Sequence, residues 1–154
     1  MTGRFLSIDP GLSCTGVAAW NGGRLTYIGL IKTNAHSPLN TRIRDSAQKV
    51  AAIASTYGCE TRYCERMQFR HGNNKGDPQI LIDLNLLAGA LGTHWITPNE
   101  WKGTLPREIE QHRTRALLEA DELALLEAVK PASLAHNAWS AVGIGLHVLR
   151  RNEQ

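Results

Sequence analysis

Apolar residues in this chain fall into short runs separated by glycine and proline, and the runs alternate between the period of a strand and that of a helix. Arg4 to Asp9 reads as a buried strand, with Phe5, Leu6 and Ile8 ahead of a Pro-Gly turn. Thr15 to Trp20 reads as a second strand. Asn21-Gly22-Gly23 is a tight hairpin signal leading into a third, Arg24 to Lys32. These three form an antiparallel meander. The period then changes. Ile43, Ala47, Val50, Ala51 and Ala54 share one face of a helix that Asn40 or Thr41 can cap and that ends near Tyr57, with Gly58 as its stop. Thr61 to Glu65 is a fourth strand, central by its place in the order. Phe69 to Asp77 is polar, basic and glycine-bearing, which marks an exposed loop.

Pro78 to Leu91 is helical and apolar nearly all round, so the pattern predicts burial, partly against another subunit. Ile80, Leu84, Leu87 and Leu91 are the candidates for the shared face. His94 to Ile96 is a short fifth strand, followed by a basic stretch containing proline. Helices are expected near Arg107 to Glu119 and Asp121 to Val129. Pro131 breaks the chain, and Leu134 to Arg151 forms the last helix. A meander, a crossover helix and further strands alternating with helices predict an α/β fold, a mixed five-stranded sheet flanked by helices. No repeat, low-complexity segment or linker divides it, so residues 1–154 read as one domain.

Composition narrows this picture little. A net charge of +3 permits a nucleic-acid partner without requiring one. The cysteines at 14, 59 and 64 have no metal-binding spacing and are odd in number, as expected of reduced thiols in a cytosolic protein. No apolar run is long enough to span a membrane, and Met1-Thr2-Gly3-Arg4 lacks the blocks of a signal peptide. The expected location is cytoplasmic, in a bacterial or phage-infected cell.

The chemistry lies where strands end in carboxylates. Asp9 closes the first strand and Glu65 the fourth, and this topology sets those ends side by side. Two converging carboxylates repel unless protonated or neutralised by cations. Hard oxygen ligands suit Mg²⁺ or Mn²⁺. A pair of such ions about 4 Å apart can activate a water and stabilise the leaving oxygen of a phosphodiester. Gly11 and Gly16 are expected to let the chain approach a phosphate backbone closely. Taken alone, Asp-Pro-Gly is most often only a turn, and a lone Glu after a strand is usually solvated. The conjunction on these elements is the specific signal.

Those segments carry a resemblance. Ser7-Ile8-Asp9-Pro10-Gly11 with Thr15-Gly16, Cys64-Glu65-Arg66, Thr97-Pro98-Asn99-Glu100-Trp101-Lys102-Gly103 and the final helix resemble the motifs of the RuvC family of Holliday-junction resolvases, in its phage-type form within the ribonuclease H-like superfamily. The resemblance spans about residues 4 to 151. It implies a homodimeric endonuclease with two Mg²⁺ ions per site, Mn²⁺ substituting, that nicks opposing strands of a four-way DNA junction. Asp9 would bind both metals and Glu65 one or both. The last motif departs from the family pattern. Asn137 stands at its acidic-or-His position and Ser140 at its Asp, with His136 adjacent. Asn137 still offers a carbonyl oxygen and His136 a nitrogen, whereas Ser140 is a short neutral ligand at best. Ser140 reads as a replacement of the expected Asp, introduced to trap substrate or lost naturally, so catalysis by this chain is expected to be impaired. The rival within the same fold is a junction-binding protein that does not cut.

Basic residues supply candidate DNA contacts. Arg66, Arg70, His71 and Lys75 surround the loop after Glu65, and Lys102, Arg107, Arg113 and Arg115 cluster before and within a later helix. Trp101 can pin Lys102 near the site, whereas Arg113 and Arg115 suit a solvated helix face equally well. Met67 and Phe69 precede the loop and could wedge into a junction, or Phe69 could simply cover the core. The Asp-x-Gly-x-x-x-Thr-Gly spacing at Asp9 also resembles the first phosphate loop of actin-like ATPases and sugar kinases. Those need two such domains and a second phosphate motif, for which this chain is too short.

Overall fold

In the computed structural model, which describes residues 3–68 and 77–150, five strands form one mixed sheet in the order β3-β2-β1-β4-β5. β1 (Arg4–Asp9), β2 (Cys14–Asn21) and β3 (Arg24–Lys32) make the antiparallel meander. β4 (Thr61–Glu65) joins the other side of β1, and β5 (His94–Ile96) joins β4, both in parallel. The middle strand is therefore β1, with β4 interior beside it. Parallel pairing requires crossovers. α1 (Leu39–Tyr57) supplies the one between β3 and β4, and α2 (Pro78–Leu91) the one between β4 and β5. α3 (Pro98–Trp101), α4 (Arg107–Leu117), α5 (Ala120–Glu127) and α6 (Ala135–Val148) complete the fold. Among the described residues, no helix is long and apolar enough to cross a membrane.

Most element limits match the sequence pattern, and the differences have local causes. α1 starts behind Pro38, whose fixed φ of −55° serves the entry. Asn40 is already inside the helix, where its Oδ1 accepts the Thr41 N–H at 2.9 Å, so neither Asn40 nor Thr41 is the cap. Gly58 does close α1, in the left-handed region at φ 66°, with its N–H on the Ala54 and Ser55 carbonyls. The basic stretch after β5 contains a short helix of its own. Thr97 and Glu100 form a capping box, the Thr97 N–H meeting Glu100 Oε2 at 2.6 Å. α6 begins at Ala135 behind a 3₁₀ turn over Ala132–Leu134.

Strand alternation divides the core into two faces. Leu6, Ile8, Val17, Ala19 and Cys64 pack with Val50 of α1 and with Leu87 and Leu91 of α2. Phe5, Ala18 and Trp20 pack on the opposite face with Ala138, Val142 and Leu146 of α6 and with Leu126 of α5. This corrects the expectation for α2. Leu87 and Leu91 are 2% and 1% exposed, so they belong to the chain's own core and not to a face shared with another copy. The apolar residues that α2 presents outward are Ile80, Ile82 and Leu86, at 49%, 44% and 56% exposed. Cys14, Cys59 and Cys64 are all buried free thiols.

α6 is fixed across the sheet by a polar contact inside the second core. Ser7 Oγ donates to the Ala141 carbonyl at 2.6 Å and accepts the Trp20 indole N–H at 2.9 Å. Both the donor and the acceptor capacity of that buried hydroxyl are thereby satisfied.

Candidate active site

Parity decides which side chains meet. Leu6 and Ile8 enter the α1–α2 core, so Ser7 and Asp9 face α6. Cys64 enters the same core, so Glu65 faces α6 as well. Ile8 and Cys64 are partners in the parallel ladder. One step further, where both strands end, Asp9 and Glu65 come side by side. Glu65 is buried and Asp9 half-buried. The Asp9 carboxyl is pushed well above the ordinary carboxylate range, first by burial and then by the Glu65 charge beside it. Lys102 and Arg107 pull it back, and Glu110 adds to the push.

Glu65 is held by two side chains, both from the segment around α3. The Trp101 Nε1–H donates to its Oε2 at 2.6 Å. Lys102 Nζ lies 3.9 Å from the same oxygen and 4.8 Å from the centre of the Trp101 ring. Lys102 thus stands beside the acidic pair, as expected from the Trp-Lys dipeptide. Glu110, on α4, is a buried carboxylate that the sequence pattern did not single out. Its Oε1 accepts the Thr114 hydroxyl at 2.9 Å. Burial raises its pKa, the Thr114 hydrogen bond and the Lys102 and Arg113 charges oppose that, and Glu65 adds to it. The available signal was spacing. Glu110, Thr114 and Leu117 fall at i, i+4 and i+7 on an otherwise polar helix, the line that meets the core.

The third segment stands where it was expected, on the first two turns of α6. Asn137 precedes Ser140 by three residues and His136 precedes it by four, so all three lie near one face. His136, Asn137 and Ser140 are each half-buried. The Asn137 Nδ2 donates to the Leu134 carbonyl at 3.1 Å, and its amide also reaches the Cys14 thiol. Asn137 is therefore engaged locally through its nitrogen, and its carbonyl oxygen is the atom suited to a cation. Among the described residues, no three His, Cys, Asp or Glu side chains converge as a metal cluster.

The two motif glycines serve the protein's own backbone. A Cβ on Gly11 would lie 2.1 Å from the Cys14 carbonyl oxygen, and one on Gly16 would lie 2.0 Å from the Asn137 carbonyl oxygen. The space expected for a phosphate backbone is filled by the chain itself. Thr15 Oγ1 tightens the first turn, accepting the Gly11 N–H and donating to the Gly11 carbonyl, both at 3.2 Å.

The basic candidates divide. Arg107 is exposed and close enough to act on the Asp9 charge, and Arg113 is exposed beside Glu110. Arg115 is structural, paired with Glu127 at 2.5 Å and set 5.4 Å from the Trp139 ring centre. Arg66 is exposed on the α2 side, next to Asn85, Ala88, Gly89 and Trp95, away from the face that Glu65 enters. Phe69, Arg70, His71 and Lys75, with the loop expected there, lie outside the described residues.

No protein-family model matches this chain, and no curated protein sequence does. Solved structures do. The chain is similar to Thermus thermophilus RuvC in complex with Holliday junction substrate, with a TM-score of 0.67 at 19% identity over 94% of this chain and 92% of that one. A further T. thermophilus RuvC structure gives 0.60 at 20% identity with the same coverage. The yeast mitochondrial Holliday junction resolvase gives 0.56 at 11% identity, over 99% of this chain and 83% of that one. The chain shares the fold of these RuvC structures.

Proposed function

We propose that this protein is a metal-dependent endonuclease that resolves four-way DNA junctions by paired nicks, with its chemistry impaired by serine at position 140. The observation that carries this reading is the juxtaposition of Asp9 and Glu65 at adjacent strand ends, Glu65 buried and Asp9 half-buried, each repelling the other's charge. It occurs on a fold shared with a resolvase solved with its junction. The donor set fits Mg²⁺ or Mn²⁺, because two converging carboxylates are relieved by a hard cation and offer it oxygen donors. Asp9 and Glu65 would hold the ions, with the Asn137 carbonyl oxygen and the Ser140 hydroxyl as neutral donors and His136 as a further candidate. Two bound ions would supply an activated water and charge stabilisation at the leaving oxygen.

The protein's own groups account for the rest. Trp101 and Lys102 hold Glu65, and Arg107 places positive charge beside Asp9. Lys102, Arg107 and Arg113 offer the phosphate backbone exposed or half-exposed cations at the rim. Phe69, Arg70 and Lys75 remain proposed DNA contacts on the sequence alone, and Arg66, on the α2 side, lies apart from this rim. Two symmetric nicks need two sites on one junction, which calls for a twofold homodimer. The outward apolar residues Ile80, Ile82 and Leu86 of α2 are its candidate interface.

A second reading is favoured by Ser140 and by the absence, among the described residues, of a third converging ligand of acidic or histidine type. On that reading the protein binds junctions and does not cut them. One experiment orders the two. Binding of a four-way junction, a duplex and a single strand is compared in Ca²⁺ at two salt concentrations, followed by Mg²⁺ on the labelled junction. Preference for the junction supports both readings, and metal-dependent nicks then select the first. Equal affinity for all three substrates would overturn both.

A further inference from the structure

Trp101 touches Glu65 and a neighbouring cation at once. Its Nε1–H takes Glu65 Oε2 at 2.6 Å, and its ring face carries Lys102. The ring itself is immobilised. It is 7% exposed and packs with Ile96 and Ile144. Against α6 it fits only because position 143 is glycine, where a Cβ would come 2.5 Å from the Trp101 Cζ3. The capping box from Thr97 to Glu100 fixes the backbone just before it. A carboxylate held by one rigid donor has one oxygen committed and the other left in a fixed direction. Such outer partners orient ligands and strengthen metal binding without touching the metal.

We propose that Trp101 is the positioning residue of Glu65, committing Oε2 through its indole N–H so that Oε1 is left as the metal-binding oxygen, while its ring holds Lys102 beside the pair as the cation present before a metal binds. This rests on the reading of Asp9 and Glu65 as metal ligands. It explains why a tryptophan, which joins an N–H donor to the best cation-binding ring face, sits beneath a buried carboxylate. A phenylalanine would fill most of the same core and hold the same lysine but leave Glu65 free to turn.

The test is Mn²⁺ affinity of the DNA-free protein, read from the signal of free Mn²⁺ during titration. Trp101→Phe keeps an aromatic ring and removes the N–H. Its Mn²⁺ dissociation constant should rise about 10- to 100-fold, the range found when such outer partners are removed. Glu65→Gln and Asp9→Asn mark the ligands themselves. If they abolish binding and folded Trp101→Phe binds as tightly as the parent, Trp101 is only packing and the proposal is overturned. If neither ligand substitution changes binding, the metal reading fails and this proposal with it. Should Trp101→Phe not fold, the parent decides through its four indole N–H resonances. Saturating Mg²⁺ should move the Trp101 signal in the parent and leave it in place in Asp9→Asn, whereas an unmoved signal in the parent overturns the proposal.

Discussion

The carbonyl oxygen of Asn137 lies 2.0 Å from the point that a Cβ on Gly16 would occupy. Gly16 is paired with Asp9 across the β1–β2 ladder. The first turn of α6 is therefore seated on the strand next to the proposed metal ligand, and the seat exists only for glycine. Gly16→Ala should force α6 off the sheet and destabilise the fold by about 1–3 kcal/mol, the usual range for overpacking. Thermal or urea unfolding checks this, and an unchanged midpoint would show that α6 can shift at no cost.

Asp9 and Glu110 both have carboxyl pKa values raised by burial. A group of that kind supports the folded state below its unfolded pKa of about 4 and loses that support as pH rises through its folded pKa. In metal-free protein, Asp9→Asn and Glu110→Gln should each gain stability over the parent as the pH is raised from about 4 towards neutrality. Glu100 and Asp121, whose pKa values are lowered, remain in every variant and cancel in the difference. A difference in melting temperature that does not change with pH would remove the electrostatic account of the site.

Much of this was legible in the sequence, for identifiable reasons. β1, β3, β4, α2 and β5 have the expected limits, because each is an apolar run bounded by Gly, Pro or a strand-ending carboxylate. The pairing of Asp9 with Glu65 followed from strand order alone. What was hidden depends on tertiary packing. The Trp101–Glu65 hydrogen bond joins residues 36 positions apart, and no local pattern encodes it. α3 is four residues long, below the length at which periodicity speaks. Glu110 sits in a helix so polar that its burial shows only as one spacing. Gly11 and Gly16 were read as close approaches to a phosphate backbone, whereas the group that approaches each is the chain's own backbone, a long-range contact that no local pattern reveals for Gly16.

Position 140 should control cutting more than binding. Ser140→Asp adds the charge that the proposed second ion lacks and should raise Mg²⁺-dependent nicking on the order of 100-fold or more, about 3 kcal/mol of transition-state stabilisation. Junction affinity should stay level or fall slightly, since the cleft gains a negative charge. Both proteins on one labelled junction in Mg²⁺ decide it. Fast cutting by the parent, or no gain from Ser140→Asp, would shift the missing-ligand role to His136 and Asn137.

Lys102 is half-exposed at the rim and only 3.9 Å from Glu65. Lys102→Ala should weaken junction binding and lower the salt slope of log affinity by about 1, the share of a single phosphate neutralised by one lysine. The protein should remain folded, because the Trp101–Glu65 hydrogen bond does not need the lysine. An unchanged slope would confine Lys102 to neutralising the carboxylates.

Leu86 is 56% exposed on the outward face of α2. If that face joins two copies, Leu86→Glu should convert a dimer to a monomer in sedimentation while leaving the melting temperature of the monomer near that of the parent at low concentration. A parent that sediments as a monomer would rule this interface out.

The hydrogen bond from Ser7 to Ala141 spans 134 positions of sequence. Its consequence is temporal. A nascent chain can lay down β1 to β3 soon after their synthesis, because those contacts are local, but the element that Ser7 and Asp9 face is α6, more than a hundred residues further along. Contacts of such separation form late. During synthesis Asp9 and Glu65 therefore precede the helix that faces them, so a half-made copy carries the acidic pair without α6.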